Sequence, residues 1–591
     1  MMRLEAGGAI MVTAVTVKAY ASPSCVLLTF DWKAGAEHDD FLGFAIQRNP
    51  GYGRDGKPQF LFNKLDFVPL AEEAAPKGSD KAPIQKFNWW DGGINLDDQG
   101  RSFEYTIIPV LGTGPGDLQL QHAAAGKKAV TVPKPLQGQI ATYFNRAVIS
   151  AQSFAKQKDK PLEKRMDWLA NGLQNAVPQI LSESDAFECA IYHLSDNRWI
   201  IPAFEAFKGR GSIIYFDKAD DTKSRAAALQ IAAARPNISI HKRDAISKLM
   251  HDKFIISYRK KHEQAVLVGS MNFTPEAQTI QANLLHIIHS RELAALYAER
   301  ANVLAKNLGK KDMDPPDWND VTDVDGTELR VFFLPEPGES RKFLNTVTEA
   351  VKKAKSSVLF CMYTASDKDL MEAIFAKGDS PKHLIYGLLN SIDDPDKPTK
   401  KGEKRKLPEI AATIFHRSQN NPDTLPYAAF GTNAPRGFLP ELKTIDTSPF
   451  DASAPKGKAK PAKKAAKKRS GGPPPIHVHH KFIVIDGDTD APTIYTGSPN
   501  FSKASENSND ENVLEIKGNT QLAQAYVAEL MRLYNHYRAR AIWNRTHEKA
   551  GKKPKPGSEA DPLILKKTRD EWVKDAYKKG TKASLARERG L

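Results

Sequence analysis

The stretch HHKFIVID at residues 479–486, followed by GSPNF at residues 497–501, decides the fold of this chain. A related pattern occurs earlier, with HDKFIISY at residues 251–258 and GSMNF at residues 269–273. In both copies the glycine stands 18 residues after the first histidine. A repeat with the same internal spacing indicates two similar structural units in one polypeptide.

Each copy has the pattern strand, turn, strand, and its Gly-Ser-x-Asn-Phe segment leads into a helix. Side chains two residues apart on a strand point to the same face, so the first histidine of each copy shares a face with its lysine. Two copies with the same serine and asparagine spacing disfavour the alternative that each histidine is an ordinary core residue. The candidate site residues are His251, Lys253, Ser270 and Asn272 in the first copy and His479, Lys481, Ser498 and Asn500 in the second.

The second copy resembles the phospholipase D superfamily, whose pattern His-x-Lys-x4-Asp is complete from His479 to Asp486. This resemblance implies an α/β fold with two phospholipase D-like αβα-sandwich halves, packed as a pseudo-dimer so that one chain completes the active site. The first copy departs from the pattern, because Tyr258 stands at the aspartate position. Family members with asymmetric halves, such as tyrosyl-DNA phosphodiesterase, also lack this aspartate, which supports the site rather than reacting.

A second difference between the copies follows their Gly-Ser-x-Asn-Phe segments. When Asn283 is aligned with Asn512, Ala282 stands where the second copy has Glu511. Of the aligned positions, only Glu511 can place a carboxylate against an imidazole and orient it. In asymmetric relatives a second-half glutamate orients the first-half histidine, and this analogy assigns His251 as the nucleophile.

The resemblance also implies a reaction without cofactor or metal. One imidazole attacks phosphorus to give a covalent phosphohistidine, while the other, assigned as His479, protonates the leaving group and then activates water. The two lysines neutralise the phosphoryl oxygens and the two asparagines add hydrogen bonds, with Ser270, Ser498 and Asp486 in support. His477 and His480 flank His479, but no carboxylate or cysteine completes a zinc ligand set with secure spacing.

Four regions follow from the patterning of the chain. Residues 1–133 have the short alternating segments of a β-sandwich, and segments 26–32, 41–48 and 103–111 resemble strands B, C and F of a fibronectin type III module. Within this region we favour core or strand-edge packing for Trp89 and Trp90 over a ligand-stacking role. The other regions are a first half at 138–310, a second half at 328–545 with a basic disordered insertion at about 394–475, and a basic C-terminal tail at 546–591.

The substrate class stays open between nucleic acid and lipid. A net charge of +15 favours polyanions, either DNA or RNA or an acidic membrane surface. The lysine-rich tract Lys456–Arg469 and the lack of an apolar membrane-binding loop favour a nuclease over a phospholipase D. A third alternative is a catalytically inactive module that binds phosphate or nucleic acid, since the first copy has diverged. The β domain or the tail could bind a protein partner, although a packing helix is the favoured reading of the tail.

Three cysteines, an odd and widely spaced number, argue against a disulfide framework and predict a reducing, cytoplasmic location. Hydrophobic residues make up 41% of the chain and no apolar run approaches the ~20 residues that span a bilayer. The apolar run near the N-terminus alternates with polar residues, which favours a first β-strand over a signal peptide.

Overall fold

The computed structural model describes residues 14–591 except 54, 69–75, 148–156, 158, 218–221, 247, 339, 397–406, 427–444, 452–476, 550–563 and 574, and it describes only the backbone of 543–549. The tract Lys456–Arg469 therefore lies outside the described residues. Among the residues described, no helix combines the length and apolarity needed to cross a membrane.

The N-terminal region is a β-sandwich, as the sequence predicts. Its strands are β1 Thr16–Ser22, β2 Cys25–Asp31, β3 Phe41–Asn49, β4 Gln59–Phe60, β5 Phe62–Asn63, β6 Lys77–Gly78, β7 Asn88–Asp91, β8 Ser102–Gly114, β9 Asp117–Leu120 and β10 Gly126–Thr131. One sheet has the order β1-β2-β7, and the other has the order β10-β8-β3-β4 with β9 beside β8. The predicted strands B, C and F correspond to β2, β3 and β8, which fold because their apolar faces fill one shared core.

The first half is built around an eight-stranded mixed sheet. Its strands are β11 Leu136–Gln137, β12 Ile140–Phe144, β13 Ala186–Ile191, β14 Arg210–Phe216, β15 Ile238–Arg243, β16 Lys253–Arg259, β17 His262–Gly269 and β18 Leu284–Ile288. Its helices are α1 Leu162–Ala170, α2 Ala176–Ser182, α3 Ile200–Ala206, α4 Thr222–Ala234, α5 Pro275–Thr279 and α6 Arg291–Ala305. The sheet order is β11-β12-β18-β17-β16-β13-β14-β15.

The second half repeats this architecture strand for strand. Its strands are β19 Asn319–Val321, β20 Glu328–Leu334, β21 Ser357–Met362, β22 Leu384–Leu389, β23 Thr424–Pro426, β24 Lys481–Ile485, β25 Thr493–Gly497 and β26 Glu511–Lys517. Its helices are α7 Lys342–Lys352, α8 Lys368–Asp379, α9 Ala411–Asn420, α10 Lys503–Ser508 and α11 Thr520–Lys549. The order β19-β20-β26-β25-β24-β21-β22-β23 matches the first sheet position by position.

The two halves pack together as the predicted pseudo-dimer. A single apolar core contains Phe254 and Tyr297 from the first half together with Phe482 and Tyr526 from the second. Two isolated parallel β-bridges also join the halves. Met250 pairs with Asp510, and Ala282 pairs with Val478. Both bridges lie one residue before a candidate histidine, so the contact between the halves positions the site.

The prediction of a disordered insertion at 394–475 is wrong in part. Helix α9 and strand β23 lie inside that range, and β23 completes the second sheet by pairing in parallel with β22. These elements are needed because the repeated topology requires a counterpart of β15 at this edge. Further on, the segment 445–451 crosses to the first half, where Asp451 accepts hydrogen bonds from Lys223 at 2.9 Å and from Ser195 at 3.4 Å.

The C-terminal segment folds onto the β-sandwich. It forms two helices, α12 Arg569–Val573 and α13 Lys582–Arg589, rather than the one short helix whose face the sequence suggests. Trp572 stacks on Phe87 with ring centres 5.6 Å apart, and Tyr577 donates a hydrogen bond to the Trp32 carbonyl at 2.6 Å. The apolar side chains of the tail thus pack inside this chain, in agreement with the packing interpretation.

Candidate active site

The two histidines of the repeated motif lie at the start of equivalent strands, where the halves meet. His251 precedes β16 and His479 precedes β24, and each is 5% exposed. The backbone N–H of His251 donates to the Asp510 carbonyl at 2.8 Å, and that of His479 donates to the Ala282 carbonyl at 3.1 Å. Each histidine is therefore anchored by the opposite half of the chain.

Each imidazole is also oriented by a side chain from the opposite half. Nδ1 of His251 lies 2.7 Å from Oε2 of Glu511, which is fully buried at the start of β26. Nδ1 of His479 lies 2.8 Å from Oδ1 of Asn283, which precedes β18. With Nδ1 engaged in each ring, Nε2 is left for the reaction.

The alignment that pairs Ala282 with Glu511 is wrong by one residue. Leu284 N–H donates to Ser270 Oγ at 3.2 Å, and Asn512 N–H donates to Ser498 Oγ at 3.0 Å. These equivalent hydrogen bonds make residue 284 the counterpart of 512, so Asn283 is the counterpart of Glu511. The signal was present in the sequence, because Asn283 and Glu511 each follow their histidine by 32 residues.

The orientation of the Asn283 amide is fixed by its other contacts. Ser270 Oγ donates to Asn283 Oδ1 at 3.0 Å, and Asn283 Nδ2 donates to the carbonyls of Ala277 at 3.1 Å and Gln281 at 3.3 Å. The oxygen therefore faces His479 and accepts its Nδ1 proton. The two histidines differ chemically as a result, because one rests on a charged carboxylate and the other on a neutral amide.

The two lysines are buried beside the histidines. Lys253 Nζ donates to the His251 carbonyl at 2.6 Å, and Lys481 Nζ lies 2.9 Å from the His479 carbonyl and 3.3 Å from its Nε2. Burial lowers the pKa of Lys253 to about 7, and burial together with Lys253 holds the pKa of Lys481 well below its usual range. Two buried lysines whose charges repel each other favour binding of an anion between the histidines.

Both histidines are held neutral without a ligand. Burial lowers the pKa of His251 to about 4, although the Glu511 carboxylate opposes this shift. The pKa of His479 lies well below its ordinary value because of burial and the positive charges of Lys481 and Lys253. For Glu511, burial raises the pKa, but His251 and Lys253 outweigh it and lower the pKa overall.

The asparagines and the aspartate of the motif have different surroundings. Oδ1 of Asn272 and Oδ1 of Asn500 are buried and accept no hydrogen bond from the described residues. Asp486 instead has a structural role, since its carboxylate accepts backbone hydrogen bonds at 2.6–3.1 Å from residues 355, 356 and 357. Its counterpart Tyr258 donates to Glu188 at 2.9 Å, so neither residue reaches the reacting centre.

Two tyrosines that the sequence analysis did not select border the site. The ring of Tyr192 lies 4.9 Å from that of His251 and 5.1 Å from Lys253 Nζ. The ring of Tyr363 lies 5.8 Å from that of His479 and 5.8 Å from Lys481 Nζ. Each tyrosine directly follows an equivalent strand, β13 or β21, and this shared position is the sequence signal that would have found them.

The flanking histidine His480 points away from the site, as strand alternation predicts. Its Nε2 lies 3.5 Å from Oε1 of Glu529 on α11, in the core between the halves. Within the described part of the chain, no group of three or more His, Cys, Asp or Glu side chains is arranged to hold a metal ion.

Comparison with protein-family models finds one matching family. Residues 178–304 and 440–534 match the family described as cardiolipin synthase, PLD-like domain. No curated protein matches the chain. Solved structures with a similar fold include polyphosphate kinase from Porphyromonas gingivalis, at 11% identity, TM-score 0.33 and coverage of 59% of this chain and 46% of that one.

Two further solved structures are similar to this chain. Phosphatidylserine synthase from Haemophilus influenzae has 10% identity, TM-score 0.41 and coverage of 68% of this chain and 88% of its own. Nuc from Salmonella typhimurium, a phospholipase D family member, has 21% identity, TM-score 0.21 and coverage of 23% of this chain and 87% of its own. At these values the structures give no argument about substrate. The matched segments contain both histidine motifs, and the chain therefore carries a phospholipase D-like domain assembled from two segments of one polypeptide.

Proposed function

We propose that this chain is a metal-independent phosphodiesterase that cleaves DNA or RNA through a covalent phosphohistidine on His251. The observation that carries the proposal is the reciprocal pairing of His251 with Glu511 and His479 with Asn283 across the two halves. It gives two imidazoles that each use Nδ1 for a partner from the opposite half, a carboxylate in one case and an amide in the other, which suits two different roles.

The first step is attack on phosphorus by Nε2 of His251. As the N–P bond forms, positive charge develops on the ring, and the Glu511 carboxylate at Nδ1 stabilises that charge. The bound phosphodiester anion favours a second proton on His479, at Nε2. The P–O bond to the leaving group breaks as His479 donates this Nε2 proton to the departing oxygen. A proton held by His479 is readily given up, because burial, the nearby lysines and a neutral amide partner all weaken its binding.

The second step hydrolyses the intermediate. Neutral His479 takes a proton from water, the water oxygen attacks phosphorus, and the N–P bond to His251 breaks. Throughout, Lys253 and Lys481 neutralise the non-bridging oxygens while Asn272 and Asn500 donate hydrogen bonds to them. Each chemical role is thus filled by a side chain of this polypeptide, so one chain completes the site.

Nucleic acid is the substrate that the charge supports best. The net charge of +15 and the basic tract at 456–469, which is close in sequence to His479, attract a phosphate backbone without sequence preference. The three cysteines are unpaired and buried, which suits the proposed cytoplasmic location.

Membrane phospholipid is the second candidate, and the description of the matching family as cardiolipin synthase, PLD-like domain, favours it.

The test is turnover of purified protein in EDTA on four substrates: single-stranded DNA, duplex DNA, RNA and anionic liposomes. We expect phosphodiester cleavage of nucleic acid that survives chelation, because imidazoles and ammonium groups replace the metal ions of other nucleases. Loss of cleavage in EDTA would refute the mechanism. Headgroup release from liposomes alone would establish the lipid candidate, and binding without turnover would indicate an inactive module.

A further inference from the structure

A second cavity lies away from the catalytic histidines. It has a volume of about 1230 Å³ and lies between the β-sandwich, the C-terminal segment and α11. Residues 384–386, at the beginning of β22, line it. The catalytic site is at the other end of that strand, where Asn390 accepts a hydrogen bond from His477 N–H at 2.8 Å. A strand of this length separates the two sites by roughly 20 Å.

Two cations in this cavity have no acidic partner among the described residues. Lys86 Nζ reaches only the Asn535 side-chain oxygen, at 3.5 Å, and Nε of Arg538 is buried without a hydrogen-bond partner in the described chain. Burial and the nearby positive charges of Arg538 and Lys64 lower the pKa of Lys86 to about 7. Uncompensated positive charge in a partly buried cavity is costly, and an anionic ligand would relieve it.

Carboxylates at the wall of the cavity are already engaged elsewhere. Asp423 accepts a hydrogen bond from Arg417 at 2.7 Å, and Glu571 accepts one from the Thr568 hydroxyl at 2.8 Å. Neither forms an ion pair with Lys86 or Arg538. Among the described residues that line the cavity, basic side chains outnumber acidic ones.

Aromatic rings form another part of the wall. Trp89 and Trp90 are both half-buried on β7, and Lys86 Nζ lies 6.0 Å from the centre of the Trp89 ring. The rings of Trp90 and Tyr52 lie directly on glycine backbone, since an added Cβ at Gly92 or Gly93 would come within 2.0 Å or 2.1 Å of a ring atom. Both tryptophans also pack inside the chain, Trp89 against the sandwich core and Trp90 against the core between the halves, in agreement with the packing interpretation. Both are only half-buried, and both line the cavity.

We propose that this cavity binds an unpaired segment of nucleic acid, with Lys86 and Arg538 on its phosphates and the tryptophan rings stacked on its bases. The proposal rests on the proposed function and gives it a secondary substrate-binding site. Unpaired bases expose the faces that aromatic side chains stack on, and cations beside such rings track the backbone. The volume also exceeds the ~300–1,000 Å³ of a typical small-molecule pocket.

The experiment measures binding of a fluorescent single-stranded oligonucleotide of about 15 nucleotides by anisotropy, as a function of salt. The double variant K86Q/R538Q and the single variant W89L are compared with the wild type. The control is K128Q, which removes an exposed lysine of the same β domain. We expect the double variant to bind about tenfold more weakly with a shallower salt dependence, and W89L to lose about tenfold affinity with little change in salt dependence. Affinity of K128Q should stay within about twofold of the wild type.

A second readout separates this proposal from the proposed function. Turnover of a p-nitrophenyl phosphodiester, which is too short to reach both sites, should be the same in K86Q/R538Q as in the wild type. Unchanged oligonucleotide affinity in that variant would overturn the cavity proposal even if nuclease activity is found. If the variant instead weakens binding to anionic vesicles and leaves the oligonucleotide unaffected, the cavity binds lipid headgroups and the proposal is also wrong. Cavity-dependent oligonucleotide binding without any cleavage would support the binding site while refuting the nuclease.

Discussion

Replacement of Glu511 by glutamine tests the proposed division of roles between the two histidines. The substitution keeps the shape of the side chain and a hydrogen-bonding group 2.7 Å from His251 Nδ1, but it removes the charge. Because both groups are buried, the charge-assisted hydrogen bond contributes roughly 1.5–3 kcal/mol. If that stabilisation is realised in the transition state, kcat falls roughly 10- to 150-fold.

The assay is steady-state cleavage across pH, with E515Q as the matched control. Glu515 lies on the same strand β26, is 2% exposed and pairs with Arg330 and Tyr495, away from the histidines. Its substitution should affect Tm but not kcat. In E511Q the pKa of His251 should fall further below about 4, because the carboxylate raises it in the wild type. An E511Q enzyme with unchanged kcat and pH profile would refute the role of Glu511.

Three other outcomes are expected. H251A and H479A should each abolish turnover while leaving the fold intact, since both histidines serve one site; retention of about half the activity in either would indicate two independent sites. The value of kcat/KM should fall as pH drops through about 4, where His251 becomes protonated and loses its nucleophilic lone pair. It should fall again as pH rises, because His479, whose pKa lies well below its ordinary value, loses the proton that it gives to the leaving group, and because Lys253 loses its charge past about 7; a profile that is flat from pH 4 to 8 would contradict this. Deletion of residues 456–469, which removes eight basic residues, should weaken nucleic-acid binding and reduce its salt dependence while sparing turnover of a p-nitrophenyl phosphodiester; an unchanged salt slope would show that the tract makes no phosphate contacts.

The sequence alone predicts the β-sandwich and the two repeated α/β units of the fold. Periodicity located β2, β3 and β8 of the sandwich to within a few residues, and the histidine motifs predicted two similar α/β halves, because repeated local patterns reflect repeated structure. The prediction that the insertion is disordered was wrong in part because it rested on composition alone. Helix α9 and strand β23 follow a polar, basic segment, and only the pairing of β23 with β22 shows that this part of the insertion completes the sheet.

The site was predictable in its residues and in one of its two cross-contacts. The motif identified the two histidines, lysines and asparagines, and the analogy with asymmetric relatives placed Glu511 against His251, where the structure has it, but the contact of Asn283 with His479 was missed. Aligning Asn283 with Asn512 because both are asparagines shifted the alignment by one residue. The equal spacing of Asn283 and Glu511 from their histidines and the hydrogen bonds of Ser270 and Ser498 both correct it. The second cavity could not be predicted, since β7 is more than 400 residues from α11 and the C-terminal segment in sequence.

The central claim, a covalent intermediate on one of two histidines in a shared site, is tested most directly by trapping that intermediate. H479A protein is mixed with a substrate that carries a good leaving group, quenched at alkaline pH because phosphohistidine is acid-labile, and digested for peptide mass spectrometry. In this variant His251 can still attack while hydrolysis of the adduct is slowed. The account predicts phosphate on the peptide that contains His251 and no adduct in H251A. An adduct on His479 in the H251A protein, or no adduct with any substrate that the wild type cleaves, would contradict it.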